Sequence, residues 1–132
     1  MADELRGMRV AFVVANEGIE QVELTEPWQA VERAGGQPQL IAPKAGEAQA
    51  FRHLDKADTF PVDRTTGDAD PSEYDAMVLP GGVANGDQIR TDEHAVRFVR
   101  RIFEDDKPVA VICHGPWILT DAGVARGRTL TS

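Results

Sequence analysis

The sequence predicts an α/β domain whose parallel sheet is covered by helices on both faces. Three observations carry that prediction. Continuous apolar runs at residues 9–15, 76–79 and 108–112 suit strands buried on both sides, not strands with one wet face. Helix-spaced apolar stripes fall between these runs, so the two kinds of element alternate. The 132 residues suffice for one hydrophobic core and not for two, so residues 1–132 are read as a single domain.

The elements follow in order. The run Arg9-Val-Ala-Phe-Val-Val-Ala15 is the first strand, and Gly18 breaks its pattern. Val22, Leu24, Trp28, Val31 and Ala34 recur at near-helical spacing. Thr25-Glu26-Pro27 marks that helix's start or a kink, because proline fits only a first turn without loss. Gly35-Gly36 stops it, and residues 39–42 form a short strand before Pro43. Residues 44–72 are polar and expected to be irregular, apart from a strand near 59–62. After a short connector at 71–75, the strand at 76–79 is closed by Pro80-Gly81-Gly82. Thr91 or Asp92 caps a helix to about Asp105, with Ala95, Val96, Val99, Ile102 and Phe103 on one stripe. The strand at 108–112 runs into Cys113-His-Gly-Pro116, then a helix over 117–122 ended by Gly123. A further strand begins at about Thr129.

Composition narrows the function. Apolar residues are 42% and charged residues 27%, which is globular and not disordered. The 22 acids against 14 bases give a net charge of −8, which argues against nucleic acid or an anionic membrane as partner. No apolar run approaches the roughly 20 residues of a membrane span. The acidic N-terminal Met-Ala-Asp-Glu-Leu-Arg is not expected to act as a signal peptide. A single cysteine suits a reducing cytoplasm, and the three scattered histidines show no zinc-ligand spacing, so no metal is expected.

Chemistry is expected beyond the carboxyl ends of the strands. Three segments lie there: residues 16–26, 81–87 and 113–116. The last is the most informative. Cys113 stands between a buried strand and a helix opening with Gly115-Pro116, as in a nucleophile elbow. Helix N–H groups at such a turn favour a thiolate. His114 is the candidate base or orienter. Glu17, Glu20, Glu23 and Glu26 are spaced three apart, and one or two of them can face Cys113 as a shielded carboxyl; the others are a solvated acidic helix start. Gly82 follows a strand, where backbone N–H groups can face a substrate oxygen. Asp87 reads as a turn aspartate, and no chemical role is expected for His53 or His94.

The motifs Ala15-Asn-Glu17, Val22-Glu-Leu24, Leu79-Pro-Gly-Gly82 and Val111-Ile-Cys-His-Gly-Pro116 resemble the DJ-one/PfpI superfamily, nearest its intracellular-protease, general-stress-protein and deglycase branch. The resemblance runs from about Met8 to Ser132. It implies a flavodoxin-like fold, Cys113 as nucleophile and Glu23, four residues before Pro27, as the carboxyl that hydrogen-bonds it. Glu20 matches a second acid near the pocket; Gly82 matches the oxyanion-hole glycine and His114 the histidine after the cysteine. In the PfpI branch an acid from a neighbouring subunit reaches that histidine, and Asp87 is the only acid in the matching loop. A homo-oligomer, dimer or larger, is therefore expected. Family members also run on past the strand begun at Thr129, so the resemblance implies a domain truncated at its C-terminus, with one sheet face missing cover.

The leading functional expectation is a cofactor-free thiol enzyme acting on reactive carbonyls, methylglyoxal or its adducts on proteins, in the manner of a glyoxalase or deglycase. An intracellular cysteine peptidase or amidase uses the same nucleophile and oxyanion hole. A non-enzymatic peroxide sensor or chaperone would oxidise Cys113 beside Glu23. A glutamine amidotransferase shares the elbow.

Overall fold

The first apolar run becomes β1 (Arg9–Val13), and its alternation explains why it sits at the centre of a sheet. Val10, Phe12 and Val14 join one hydrophobic cluster while Ala11, Val13 and Ala15 join another. Successive side chains of a strand point to opposite faces, so a strand apolar throughout must be covered on both. The computed structural model describes residues 4–112 and 117–123, and within them the cover is present.

Five parallel strands form the main sheet: β1, β3 (Gln37–Ala42), β6 (Arg64–Thr65), β7 (Ala76–Leu79) and β8 (Val109–Val111), in the order β6-β3-β1-β7-β8. Val10 pairs in register with Pro38 on one side and Ala76 on the other, and Leu79 pairs with Val111. One face packs on α1 (Gln21–Arg33), where Leu24 and Val31 are buried and Trp28 meets Phe12 with ring centroids 5.0 Å apart. The other face packs on α3 (Glu93–Glu104) and α4 (Trp117–Ala122) through Ala95, Phe98, Val99, Ile102, Ile118 and Leu119. Arg100 Nε donates to the Ala122 carbonyl over 2.8 Å and ties these two helices together. Tyr74 is buried edge-on to Phe98, and burial pushes its phenol above the usual range. This is the flavodoxin-like α/β arrangement expected.

Asp92 is the cap of α3, as one of the two expected candidates. Its carboxylate accepts from Ala95 N at 2.9 Å and from the buried Thr66 hydroxyl at 2.6 Å.

Four expectations need correction. Of the two readings of Thr25-Glu26-Pro27, the helix start fails: the first helix begins at Gln21 and carries Pro27 in its interior. Val22, expected in the apolar stripe, is 54% exposed. Residues 83–87, expected as a loop with Asp87 in a turn, belong to α2 (Val83–Ile89), because buried hydrogen bonds of Asn85 override the turn preference of Asn-Gly. The polar stretch after Pro43 holds a second sheet: β4 (Glu47–Arg52) pairs in parallel with β2 (Glu17–Glu20) and antiparallel with β5 (Asp55–Pro61). Ala48 and Ala50 alternate inward along β4, but alanine is a weak strand signal and most of β5 is exposed.

Candidate active site

The strand order brings the carboxyl ends of β1, β7 and β8 side by side. The chain leaves β8 at Ile112, whose N–H donates to the Leu79 carbonyl over 3.0 Å, and the next residue is the candidate nucleophile. Cys113, His114, Gly115 and Pro116 lie outside the described residues.

β2 and the turn after β7 are locked together by backbone contact. Gly18 has φ +96° and Gly82 has φ +103°, a left-handed region that side chains disfavour. A Cβ on Gly18 would stand 2.7 Å from Ala84 Cβ, and one on Gly82 would strike the Gly18 carbonyl oxygen. Glycine at both positions is thus a packing requirement. Glu20 N–H also reaches the Gly81 carbonyl at 3.3 Å.

Two asparagines complete the frame. Asn16 Oδ1 accepts from Lys44 N at 2.8 Å, and its Nδ2 donates to the Lys44 and Glu47 carbonyls at 2.9 and 3.2 Å. Asn85, only 1% exposed, accepts from Ala15 N at 2.7 Å and donates to the Pro80 and Gly81 carbonyls at 3.0 and 3.2 Å.

A cleft of about 750 Å³ opens over this frame, with Glu17, Glu20, His53, Gly82 and Asp87 among its lining residues. Three sequence-predicted residues, Glu20, Gly82 and Asp87, therefore meet in one place. Asp87 reaches it from α2 and not from a turn. The four spaced glutamates divide into an exposed and a half-buried pair. Glu17 and Glu26 are exposed, whereas Glu20 and Glu23 are half-buried. Glu23 sits in the first turn of α1 with its Oε1 shielded from solvent. The Glu20 carboxylate accepts the His53 backbone N–H at 3.2 and 3.3 Å, so it anchors the hairpin that walls the cleft. His53, expected to have no role, lines that wall, in a left-handed conformation with φ +59°. His94 stays on an exposed helix face, with Nδ1 3.4 Å from an Arg97 nitrogen. Among the described residues, no group of three or more His, Cys, Asp or Glu side chains is arranged to hold a metal ion. Nor is any described helix long and apolar enough to cross a membrane.

Sequence comparison places these features in a family. The DJ-1/PfpI family model matches residues 8–132. The chain belongs to the DJ-1/PfpI family. Within it, a deglycase of Pyrococcus horikoshii is 42% identical over 125 residues, covering 95% of this chain and 72% of that protein. A Bacillus subtilis relative named putative cysteine protease YraA is 34% identical, covering 93% of this chain and 70% of its own length. Among solved DJ-1/PfpI structures, a two-domain protein of Anabaena variabilis with DJ-1/ThiJ/PfpI-like and ferritin-like domains superposes with TM-score 0.83 at 30% identity. The match covers 92% of this chain and 34% of that one. Toxoplasma gondii DJ-1 shares the fold at TM-score 0.78 and 20% identity, over 92% of this chain and 64% of its own. Family relatives thus carry deglycase and cysteine-protease names.

Proposed function

We propose that the protein is a cofactor-free thiol enzyme that destroys small reactive carbonyls, as a glyoxalase or deglycase does. The observation that carries this reading is the cleft itself. It joins Gly82, at the entry to α2, with Glu20 and Asp87, just past the end of β7, the strand that pairs with β8. The deglycase names of its relatives support it.

In this reading the Cys113 thiolate adds to the aldehyde carbon of methylglyoxal. The oxygen gains negative charge against the Gly82 N–H and is protonated to a hemithioacetal. His114 takes the proton from the former aldehyde carbon, and a proton returns to the neighbouring carbon, leaving a thioester. Water cleaves the thioester, releasing lactate and the thiol, so that methylglyoxal and one water give one lactate. Glu23 hydrogen-bonds the thiolate, its shielded Oε1 supporting that role. Glu20 and Asp87 support the pocket. With a protein-bound adduct the free amine leaves as well. The same nucleophile and donor would serve a peptidase, the reading that the name of the Bacillus subtilis relative favours.

The protein works as a homo-oligomer in a reducing cytoplasm. Leu54 and Val83, 95% and 55% exposed at the mouth of the cleft, support a subunit boundary there.

The deciding experiment measures lactate from methylglyoxal beside cleavage of a fluorogenic peptide. Wild type is expected to form lactate, Cys113→Ser to lose about a thousandfold or more of that rate, and Glu23→Gln to fall further than Glu17→Gln or Glu26→Gln. Peptide cleavage without lactate would replace the carbonyl reading by the peptidase one.

A further inference from the structure

We infer that Asn85 is a positioning residue that aims the Gly82 N–H into the cleft and so sets the strength of the oxyanion donor. The inference rests on the proposed carbonyl chemistry for what the donor does, but not for how it is aimed.

Asn85 has one way round that satisfies its surroundings. Its oxygen must accept the Ala15 N–H at 2.7 Å, which leaves the amide NH₂ for the Pro80 and Gly81 carbonyls at 3.0 and 3.2 Å. These are the two peptide units that precede Gly82. A trans peptide is planar, with its C=O and N–H pointing in opposite directions. Holding the Gly81 carbonyl on the Asn85 side therefore turns the Gly82 N–H to the opposite side, and Gly82 lines the cleft. Glu20 N–H, bound to the same Gly81 carbonyl at 3.3 Å, adds to the hold.

Glycine makes this clamp necessary. With φ +103° and no Cβ, Gly82 has more backbone freedom than any other residue type, and a free Gly-Gly turn would sample other peptide orientations. A donor that must reorient during the reaction stabilises a developing charge less than one already in place. Asn85 supplies that fixity from a site 1% exposed, without touching the substrate.

The test is Asn85→Asp, which keeps side-chain size and the acceptor for Ala15 but sets a carboxylate oxygen against two carbonyls. Turnover of methylglyoxal is expected to drop in kcat by roughly 10²-fold, the scale of losing one oxyanion donor, with KM moving less than about threefold. Alkylation of Cys113 by iodoacetamide is expected at the wild-type rate, because displacement at a saturated carbon develops no oxyanion. A folded Asn85→Asp protein with wild-type kcat overturns the inference while leaving the carbonyl reading standing. Absence of lactate from wild type overturns the carbonyl reading instead. The aiming is read independently by hydrogen exchange in ¹⁵N-labelled wild type, which also covers a variant that does not fold. Slow exchange of the Asn85 side-chain NH₂ with fast exchange of the Gly82 amide is expected; the reverse pattern overturns the inference.

Discussion

The two walls of the cleft are built by opposite means. The inner wall, formed by β2 and the turn after β7, is backbone packed on backbone. Gly18 and Gly82 leave no room for a methyl group, and the buried Asn85 fills the hydrogen-bonding needs of the groups between them. The outer wall is the β4–β5 hairpin, whose β4 pairs with β2 and buries Ala48 and Ala50, but whose tip, residues 52–56, stands in solvent and is steadied by polar ties. Glu20 holds the His53 N–H, while the Gln21 and Asp58 side chains serve each other's turn: Gln21 Nε2 donates to Asp58 Oδ2 at 2.9 Å and Asp58 N donates to Gln21 Oε1 at 2.8 Å. A wall that tolerates no atom suits the fixed geometry of a reaction. A wall on polar ties can vary in sequence and select what enters.

Substitutions should separate the two. Gly82→Ala strikes the inner wall and is expected to cost the most, about 2 kcal/mol or more from the left-handed conformation and the backbone collision together; urea unfolding measures it. An alanine there with unchanged stability would mean that the turn can yield and that the inner wall is no stiffer than the outer. Glu20→Ala releases the hairpin tip at about 1 kcal/mol, and should raise KM while leaving kcat near wild type. A fall in kcat alone would move Glu20 from the wall into the chemistry. Asp58→Ala removes one side of the Gln21 exchange and is expected to cost about 0.5 kcal/mol, seen as a small shift in the same unfolding curve. Leu54→Ser touches nothing inside the chain, so monomer stability should stay within about 0.5 kcal/mol. Light scattering on that variant reads the subunit boundary instead: a smaller assembly than wild type supports it, and an unchanged mass removes Leu54 from it.

The same contrast explains what the sequence made legible. Buried strands such as Ala76–Leu79 announce themselves, because a strand covered on both faces must be apolar throughout. So does α3, whose apolar stripe and capping aspartate are local signals. The hairpin was hidden because its own residues read as polar loop, and the partners it docks on, β2 and Gln21, lie some thirty residues away and leave no mark on its pattern. The start of α1 was left open because Pro27 suits a first turn or a kink; the helix accommodates it in its second turn. At the site, Glu20, Gly82 and Asp87, all singled out in the sequence, line one cleft, although Asp87 read as a turn aspartate. Asn85 was not, since Asn-Gly signals a turn in isolation. Its burial depends on an amide 70 residues earlier, which no local pattern around Asn85 signals. His53 carried no signal at all, as its place follows from a hairpin the sequence did not announce.

That long-range bond also fixes when the cleft can come into being. The Ala15–Asn85 contact joins residues 70 apart, and the parallel pairing of β1 with β7 has to bridge a similar stretch of chain. Such contacts form late, because a long loop must lose its freedom before they return anything. During synthesis, the first strand and its turn wait beside β3 with no partner for the Ala15 amide until Asn85 has been made. The hairpin that forms the outer wall is complete before then, being local. The cleft is therefore assembled from the outside inward, and any pause in synthesis before Asn85 leaves a chain with a wall but no floor.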